Sequence, residues 1–418
     1  MNITRLILAG SASLIMLSTA SAGGLYLREY GQPSSGTAGS GASVLAEDAS
    51  TAFQNPAGVF NLEGDSEWMA TGIVVHSSIK FSQDENNTVT GGNGGDAGST
   101  LAGGALFHAR KLDEKWGLTF SLNSIAGSAL EYDDDFVGRY SGDQTKLLSV
   151  TLLSNVAYKV NDELSIAAGP VIIYGQLELE QAIPSSLPAN QPPYPVAADD
   201  GRAKIDDGDD YDVTLSASAL WQATDDWRFS LTYLGENELK FDGDLKLTLP
   251  SGISQDDIAA DVTIKFPQSL AASALYDVTN KLSLTARLSW EEWSELDSVP
   301  LSTNAGGGAI PLDWDDIWSI GLGFRYKTGD RWTYYGGVAY DTDPTEAENR
   351  IAILPADRQI RLATGFKYDI DEKKTIGATL TYIDLGNART NKTTSGGQFS
   401  GEYSTNEIYL LGVNYGWR

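Results

Sequence analysis

Few residues in this chain can do chemistry. His76 and His108 are its two histidines, and cysteine is absent. A Ser-His-Asp relay needs an imidazole held between a hydroxyl and a carboxylate, and those groups meet in space rather than in sequence. Both histidines fall within strand-like stretches, where an imidazole ordinarily faces a lumen or an interface. The chain therefore reads as a non-enzyme with no catalytic residues. The missing cysteines exclude a disulfide framework and leave no thiolate to attack or to bind metal. Asp133-Asp134-Asp135, and Asp206-Asp207 beside Asp209-Asp210, have the oxygen chemistry of calcium. Both read more simply as solvated acidic loops, so no metal and no cofactor is expected.

What must position any functional group is set by the rest of the chain. It opens with one positive charge, Arg5, an apolar run from Leu6 to Leu17 and then Ala20-Ser21-Ala22. That order predicts a secretory leader over residues 1–22, cut after Ala22. No later stretch of about twenty apolar residues predicts a transmembrane helix. The formal net charge of −27 argues against nucleic acid and against a basic membrane-binding patch. It suits long solvated loops. Plentiful Tyr and Trp beside a mean hydropathy of −0.21 suit a barrel with one apolar face, one polar face and aromatic girdles.

From Ser66 to Arg418 the dominant pattern has period two. Val213, Leu215, Ala217, Ala219 and Trp221 alternate with Asp212, Thr214, Ser216 and Ser218, and Leu282, Leu284, Ala286, Leu288 and Trp290 with Ser283, Thr285, Arg287 and Ser289. Such alternation marks half-buried strands. Tight polar turns such as Asn161-Asp162-Glu163 and Asp371-Glu372-Lys373 alternate with long links such as 181–207, 242–260, 298–313 and 387–404. Short turn, long loop, short turn is the asymmetry of an outer-membrane barrel. Strands are expected near 66–81, 99–111, 115–127, 145–160, 163–180, 208–223, 226–241, 261–277, 281–297, 314–327, 331–341, 357–369, 373–386 and 404–417. These make an all-β, 14-stranded antiparallel transmembrane β-barrel with both termini on the periplasmic side. A barrel of that size leaves an open lumen unless something fills it.

The stretch from Gly36 to Leu62 is rich in Gly, Ala and Ser, lacks strand periodicity and centres on Asn55-Pro56-Ala57. A leader, then this run with Ala46-Glu47-Asp48-Ala49, then strands, resembles the FadL/TodX (OmpP1) family of outer-membrane transporters of hydrophobic compounds. The resemblance implies that residues 23–65 are a hatch inside the lumen of the 66–418 barrel, with Asn55, Pro56 and Ala57 at its gate. It extends to Tyr340-Asp341-Thr342-Asp343-Pro344 and on to Asn349, Arg350, Asp357 and Arg358, a loop these side chains would pin through carboxylate–guanidinium contacts. It also implies an inward kink of the third strand, placed at Ala126, Gly127 and Ser128, since strand glycines mark bulges. Asn55 would then bond the ladder groups the kink leaves unpaired. The last strand, ending Tyr415-Gly416-Trp417 with Arg418 after it, is similar to the signal read by the barrel assembly machinery.

The family's fatty-acid branch aligns inward basic residues with Gln176 and Asp315, so both are expected as lumen contacts that have lost positive charge. That leaves room for neutral or aromatic hydrocarbons beside long-chain fatty acids. The Pro-rich link 183–195 reads as a stiff loop, or as added apolar contact outside. No phosphate loop is present, and Gly23-Gly24-Leu25-Tyr26-Leu27-Arg28 is not an energy-coupling box, so passage is expected to be passive. The chain is expected to act as a monomer among outer-membrane lipid and lipopolysaccharide. A general diffusion porin is the alternative, predicting large conductance; an adhesin or phage receptor acting through the loops is another.

Overall fold

The computed structural model describes residues 29–85, 87–185, 199–250, 252–303 and 306–418. The leader and the 23–28 stretch lie outside the described residues, as does most of the Pro-rich link.

Twenty strands are defined: β1 Ser66–Gln83, β2 Thr100–Lys111, β3 Trp116–Asn123, β4 Gly127–Glu131, β5 Gln144–Lys159, β6 Leu164–Ile183, β7 Gly201–Gln222, β8 Trp227–Leu234, β9 Asn237–Thr248, β10 Ser254–Phe266, β11 Ser269–Asp277, β12 Leu282–Glu291, β13 Ser298–Thr303, β14 Gly306–Pro311, β15 Ile317–Thr328, β16 Trp332–Asp341, β17 Gln359–Asp369, β18 Lys374–Asp384, β19 Thr390–Thr394 and β20 Gly397–Trp417. Seventeen of them make fourteen antiparallel wall strands, three of which (β3 with β4, β8 with β9, β10 with β11) are broken in two, and β13, β14 and β19 are short additions in the links between wall strands. Each wall strand pairs with its sequence neighbours, and the ring closes where β1 meets β20, from Trp68 opposite Trp417 to Gln83 opposite Gly401. A closed ring leaves no free edge strand, and the ladder satisfies the backbone groups of the wall except at local breaks.

The two faces of the wall differ as the alternation predicts. Leu284, Leu288, Ile320, Leu322, Leu362, Leu380, Leu411 and Val413 point outward and are exposed, a surface that only lipid covers favourably. Near the short turns it carries aromatic stacks, among them Trp68 on Trp417 and Trp227 on Tyr276. The inner face carries small polar side chains such as Ser165, Ser230, Ser273, Thr285, Thr381 and Asn414, all buried.

Several links read as loops are partly strand. β7 starts at Gly201, the β9–β10 hairpin continues to Thr248 and Ser254, and β13 with β14 fills much of 298–313. These extensions rise above the lipid belt, where neither face needs to be apolar, so hydrophobic alternation stops before the ladder does. Pro267, which has no N–H to donate, sits at the break between β10 and β11.

Residues 29–65 form two short helical turns, Gln32–Ser35 and Thr51–Gln54, and the 3-10 helix Pro56–Asn61. Most of the segment is buried. Its bonding partners lie on inward faces around the cylinder: the Ser43 hydroxyl meets those of Ser230 on β8 and Ser273 on β11 (2.9 Å each), Ser40 meets Thr285 on β12 (2.8 Å), and Thr381 on β18 donates to the Ser35 carbonyl (3.1 Å). Two wall glycines make room for it. A Cβ on Gly337 would stand 2.1 Å from the Thr37 carbonyl oxygen, and one on Gly377 2.0 Å from the Gln32 amide nitrogen.

Candidate functional site

The register locates a break in the wall. β3 pairs with β2 from Leu106 opposite Leu122 to Lys111 opposite Gly117, and β4 pairs with β5 but not with β2. Residues 100–105 of β2 are therefore paired only with β1. Along β5, Asn123 lies opposite Thr151 and Gly127 opposite Leu148, so four steps on one strand match three on the other. One extra residue is a β-bulge, which bends its strand away from the ladder. The strand returns to the β1–β2 link at its outer end, where the Glu131 amide donates to Ala97 (3.1 Å) and the Ser99 hydroxyl to Ala129 (3.0 Å). The break itself is residues 124–126, with Ala126 inside it and Gly127 and Ser128 opening β4.

Asn55 does not serve this break. Its amide group donates to the Ser43 carbonyl (2.8 Å) and to Ala219 on β7 (3.2 Å), and its side-chain oxygen accepts from the Ala57 amide (3.2 Å). Both donors are spent on the N-terminal segment itself and on β7. Ser149 on β5 does the work instead: its hydroxyl accepts from the Ala126 amide (3.0 Å) and donates to the Ala126 carbonyl (2.6 Å). The N-terminal segment reaches the break through Tyr30, whose hydroxyl accepts from the Ser124 amide (3.4 Å). Tyr30, packed edge-on to Phe53 and Phe107, was not visible as functional in the sequence because it precedes the Gly36–Leu62 run and no motif includes it.

Beside the break lies a cavity with Phe53, Pro56, Ile125, Leu153, Leu234 and Arg287 among its walls. A second pocket, nearer the outside, is almost wholly apolar, walled by Leu177, Leu179, Ile264, Leu296, Ile351 and Ile353. Neither contains Gln176 or Asp315. Gln176 is exposed on the outward face of β6 with Ile172, while Ile173, Gly175 and Leu177 face inward; one position of parity decides this. Asp315 is exposed in the link before β15, its amide donating to Pro344. Cations that do face the lumen include Arg287 on β12 and Arg361 on β17, the latter bound to Asp341 (2.6 Å) and near Glu29 (3.4 Å). Arg287 stood on a polar strand face in the sequence, and that parity was the available signal.

The loop 342–358 is held by Arg350, which is buried. Its guanidinium donates to both oxygens of Asp343 (2.8 and 2.9 Å), to Thr345 (2.7 Å) and to the carbonyls of Ala356 and Arg389. Arg358 pairs with Asp384 (3.1 Å), Asp357 accepts from the Ala388 amide (2.8 Å), and the Asn349 carbonyl accepts from Lys392 (3.1 Å). The pin thus seats Ile351 and Ile353 over the outer pocket.

At the periplasmic end Glu47 accepts from Arg325 (2.9 Å) and from the Tyr335 hydroxyl. Burial alone would raise its carboxyl, but Arg325, Lys367 and Tyr335 outweigh burial and hold it at about 2. Its neighbour Asp48 is pushed up to about 7 by burial, against its bonds from Ser50 and aided by Glu67 and Glu47.

His76 bonds Thr100 (2.8 Å), and His108 bonds Ser66 (3.1 Å) and stacks on Trp68. Among the described residues no group of three or more His, Asp or Glu is placed to hold a metal. Asp134 pairs with Arg202, and Asp206 with Lys204 and Lys246.

Known proteins share this architecture. The chain is 23% identical to the long-chain fatty acid transport protein of Escherichia coli O6:H1, over 99% of this chain and 98% of that one. It is 22% identical to outer membrane protein P1 of Haemophilus influenzae, over 84% of each. Its fold superposes on a FadL homologue from Pseudomonas aeruginosa with a TM-score of 0.84, at 21% identity, covering 94% of this chain and 99% of that one. The toluene transporter TbuX of Ralstonia pickettii superposes with a TM-score of 0.70 at 18% identity, covering 94% and 99%. With residues 13–418 matched by the family model for outer membrane protein transport proteins, the chain belongs to the OMPP1/FadL/TodX family.

Proposed function

We propose that this outer-membrane barrel is a passive channel for hydrophobic molecules, in which residues 29–65 act as a hatch and the break between β2 and β4 is a sideways exit. The observation that carries the reading is the adjacency of the break to an apolar cavity: Ile125 belongs to both. A greasy solute leaving that cavity sideways moves from apolar protein to lipid and never meets bulk water, so no step exposes its surface. The bonds from the N-terminal segment to the wall support its role in closing the axial way through. Cargo would pass from the outer pocket beneath Ile351 and Ile353 to the inner cavity and then out through the wall.

The substrate class is long-chain fatty acids or neutral and aromatic hydrocarbons. Uptake of labelled oleate and of labelled toluene by a transporter-null host expressing this chain tests the reading. Uptake of at least one above the empty-vector rate is expected; background uptake of both removes it.

A further inference from the structure

A second place in the wall departs from the ladder. On β7, Ser216 lies opposite Leu234 of β8, and Asp209 lies opposite Asp242 of β9. Seven steps along β7 therefore face eight along β8 and β9. The extra residue is again a bulge, and it falls at Gly235-Glu236, between the two strands. The Gly235 amide still reaches the Leu215 carbonyl (2.8 Å). Beyond it β9 stands off from β7, and carboxylates fill the interval. The Glu238 amide donates to the Asp212 side chain (2.9 Å) and the Lys240 amide to that of Asp210 (2.7 Å). Where a ladder would join amide to carbonyl, these strands are stitched through side chains. The next strand bends along with β8 and β9 at Pro267: Asn237 faces Phe266 and Leu234 faces Ser269, three steps on each. The opening is thus confined to β7 and β9.

Its surroundings join lipid to lumen. On the outward side, Tyr211 and Leu215 are 68% and 64% exposed, above every other large apolar side chain described, so the interval lies within the lipid belt. On the inward side, Ser216 and Leu234, the last ladder pair before the interval, both line the cavity beside the first break. Asn237, buried at the head of β9, has no hydrogen-bond partner for either polar atom of its side chain. A buried amide left so is costly and calls for a partner. At the far edge Asp209 and Asp242 stand directly opposite one another, both exposed. Like charges so placed weaken the ladder that would close the interval.

We propose that the β7–β9 interval is a second lateral port of the same cavity, serving uncharged molecules with an apolar tail and a hydroxyl head, such as long-chain alcohols and alkyl phenols. A hydroxyl carries both a donor and an acceptor. It can insert into the stitch, its oxygen accepting from the Glu238 amide while its O–H donates to the Asp212 carboxylate, and no group is left unpaired. Asn237 offers the same head a donor and an acceptor on the way. A hydrocarbon entering there would break the stitch and leave both ends bare, so it takes the first break. A carboxylate has only acceptors and meets Asp209, Asp210, Asp212 and Asp242. The first break offers a hydroxyl less, because Ser149 is committed to both backbone groups of Ala126. The inference rests on the channel reading but adds a port and a solute class to it.

Deleting Gly235 brings the count to seven against seven. In that register Glu236, Glu238 and Lys240 face outward opposite Leu215, Val213 and Tyr211, and Asn237, Leu239 and Phe241 face inward opposite Thr214, Asp212 and Asp210, so every parity agrees. Uptake of labelled dodecanol, dodecanoate and toluene is measured in a transporter-null host, with barrel folding checked by heat-dependent gel mobility. The native chain is expected to take up dodecanol above the empty-vector rate. The deletion is expected to cut that gain at least fivefold and to leave toluene and dodecanoate within twofold of native. Asn237→Leu, which leaves the ladder alone and carries the test should the deletion fail to fold, is expected to cut it at least threefold with toluene unchanged. Native dodecanol uptake in either folded variant, an equal loss of toluene, or no dodecanol uptake by a native chain that takes up toluene overturns the proposal. Background uptake of both toluene and dodecanoate by the native chain would instead strike the channel reading itself.

Discussion

Arg350 offers the most quantitative test of how the outer pocket is built. Replacing it with Met keeps much of the volume and removes the guanidinium. Three carbonyls, from Thr345, Ala356 and Arg389, and the Asp343 carboxylate then lose their donor. Hydrogen bonds to a charged group contribute about 1.5–3 kcal/mol each, and bonds sharing one side chain do not add. Water would recover part of the loss as the loop opens. A net penalty of about 3 kcal/mol on docking of the 342–358 loop is a reasonable floor, or about a hundredfold in its docking equilibrium. The barrel ladder is untouched, so the loss is local. Undocking carries Ile351 and Ile353 off the pocket, and apparent affinity falls with the docked fraction. The assay is titration of purified protein with a fluorescent apolar probe, together with limited proteolysis of the loop. Binding at least tenfold weaker and faster cleavage are expected. Arg350→Lys should not rescue, because one ammonium cannot reach carbonyls on both sides. Native affinity and native cleavage in Arg350→Met would refute the argument that this pin shapes the pocket.

Other expectations follow from particular contacts. Gly337→Val puts a side chain where the Thr37 carbonyl stands, so the N-terminal segment should be displaced and single-channel conductance should rise severalfold while the barrel stays folded; unchanged conductance would mean the segment does not block the lumen. The Glu47 latch depends on pH with a definite sign. Its carboxyl is held at about 2, so its contribution is complete above the ordinary range near 4.5 and is lost as pH falls toward 2. Asp48, raised to about 7, works the other way: its burial penalises the segment as pH climbs from about 4 to about 7. Protease sensitivity of residues 36–62 should therefore be lowest near pH 4–5, and Asp48→Asn should remove the rise toward pH 8. Gln176→Lys and Asp315→Lys, both on exposed positions, should leave oleate uptake within twofold of native; a large gain would place them in the lumen after all.

The wall was legible because lipid and lumen impose opposite demands on alternate residues, and the chain from β11 to β18 answers them almost position by position. Parity arguments failed where the chain leaves the lipid belt, as in the β9–β10 hairpin, and where one inserted residue shifts the count. Gln176 shows how little is needed: its strand was found, yet an alignment to relatives placed on the lumen side a residue that its own alternation with Ile173 and Leu177 puts outside. The family resemblance places a kink at Ala126, Gly127 and Ser128, next to the 124–126 break. The break's hydrogen-bond partner was not legible, because Ser149 is one of many inward serines and nothing local distinguishes it. Gly337 and Gly377 carried a readable signal, inward glycines opposite a segment that must fit, but only a structure says which glycines face what.

The central claim is that neutral cargo leaves through the wall, and the register supplies its test. Deleting Ala126 removes the one residue by which the β3–β4 strand exceeds β5, so the ladder can run on unbroken and close against residues 100–105 of β2. Toluene uptake by cells carrying this deletion, with the folded barrel verified by heat-dependent gel mobility, should fall at least tenfold from the native rate. Uptake at the native rate through a closed wall would contradict the account.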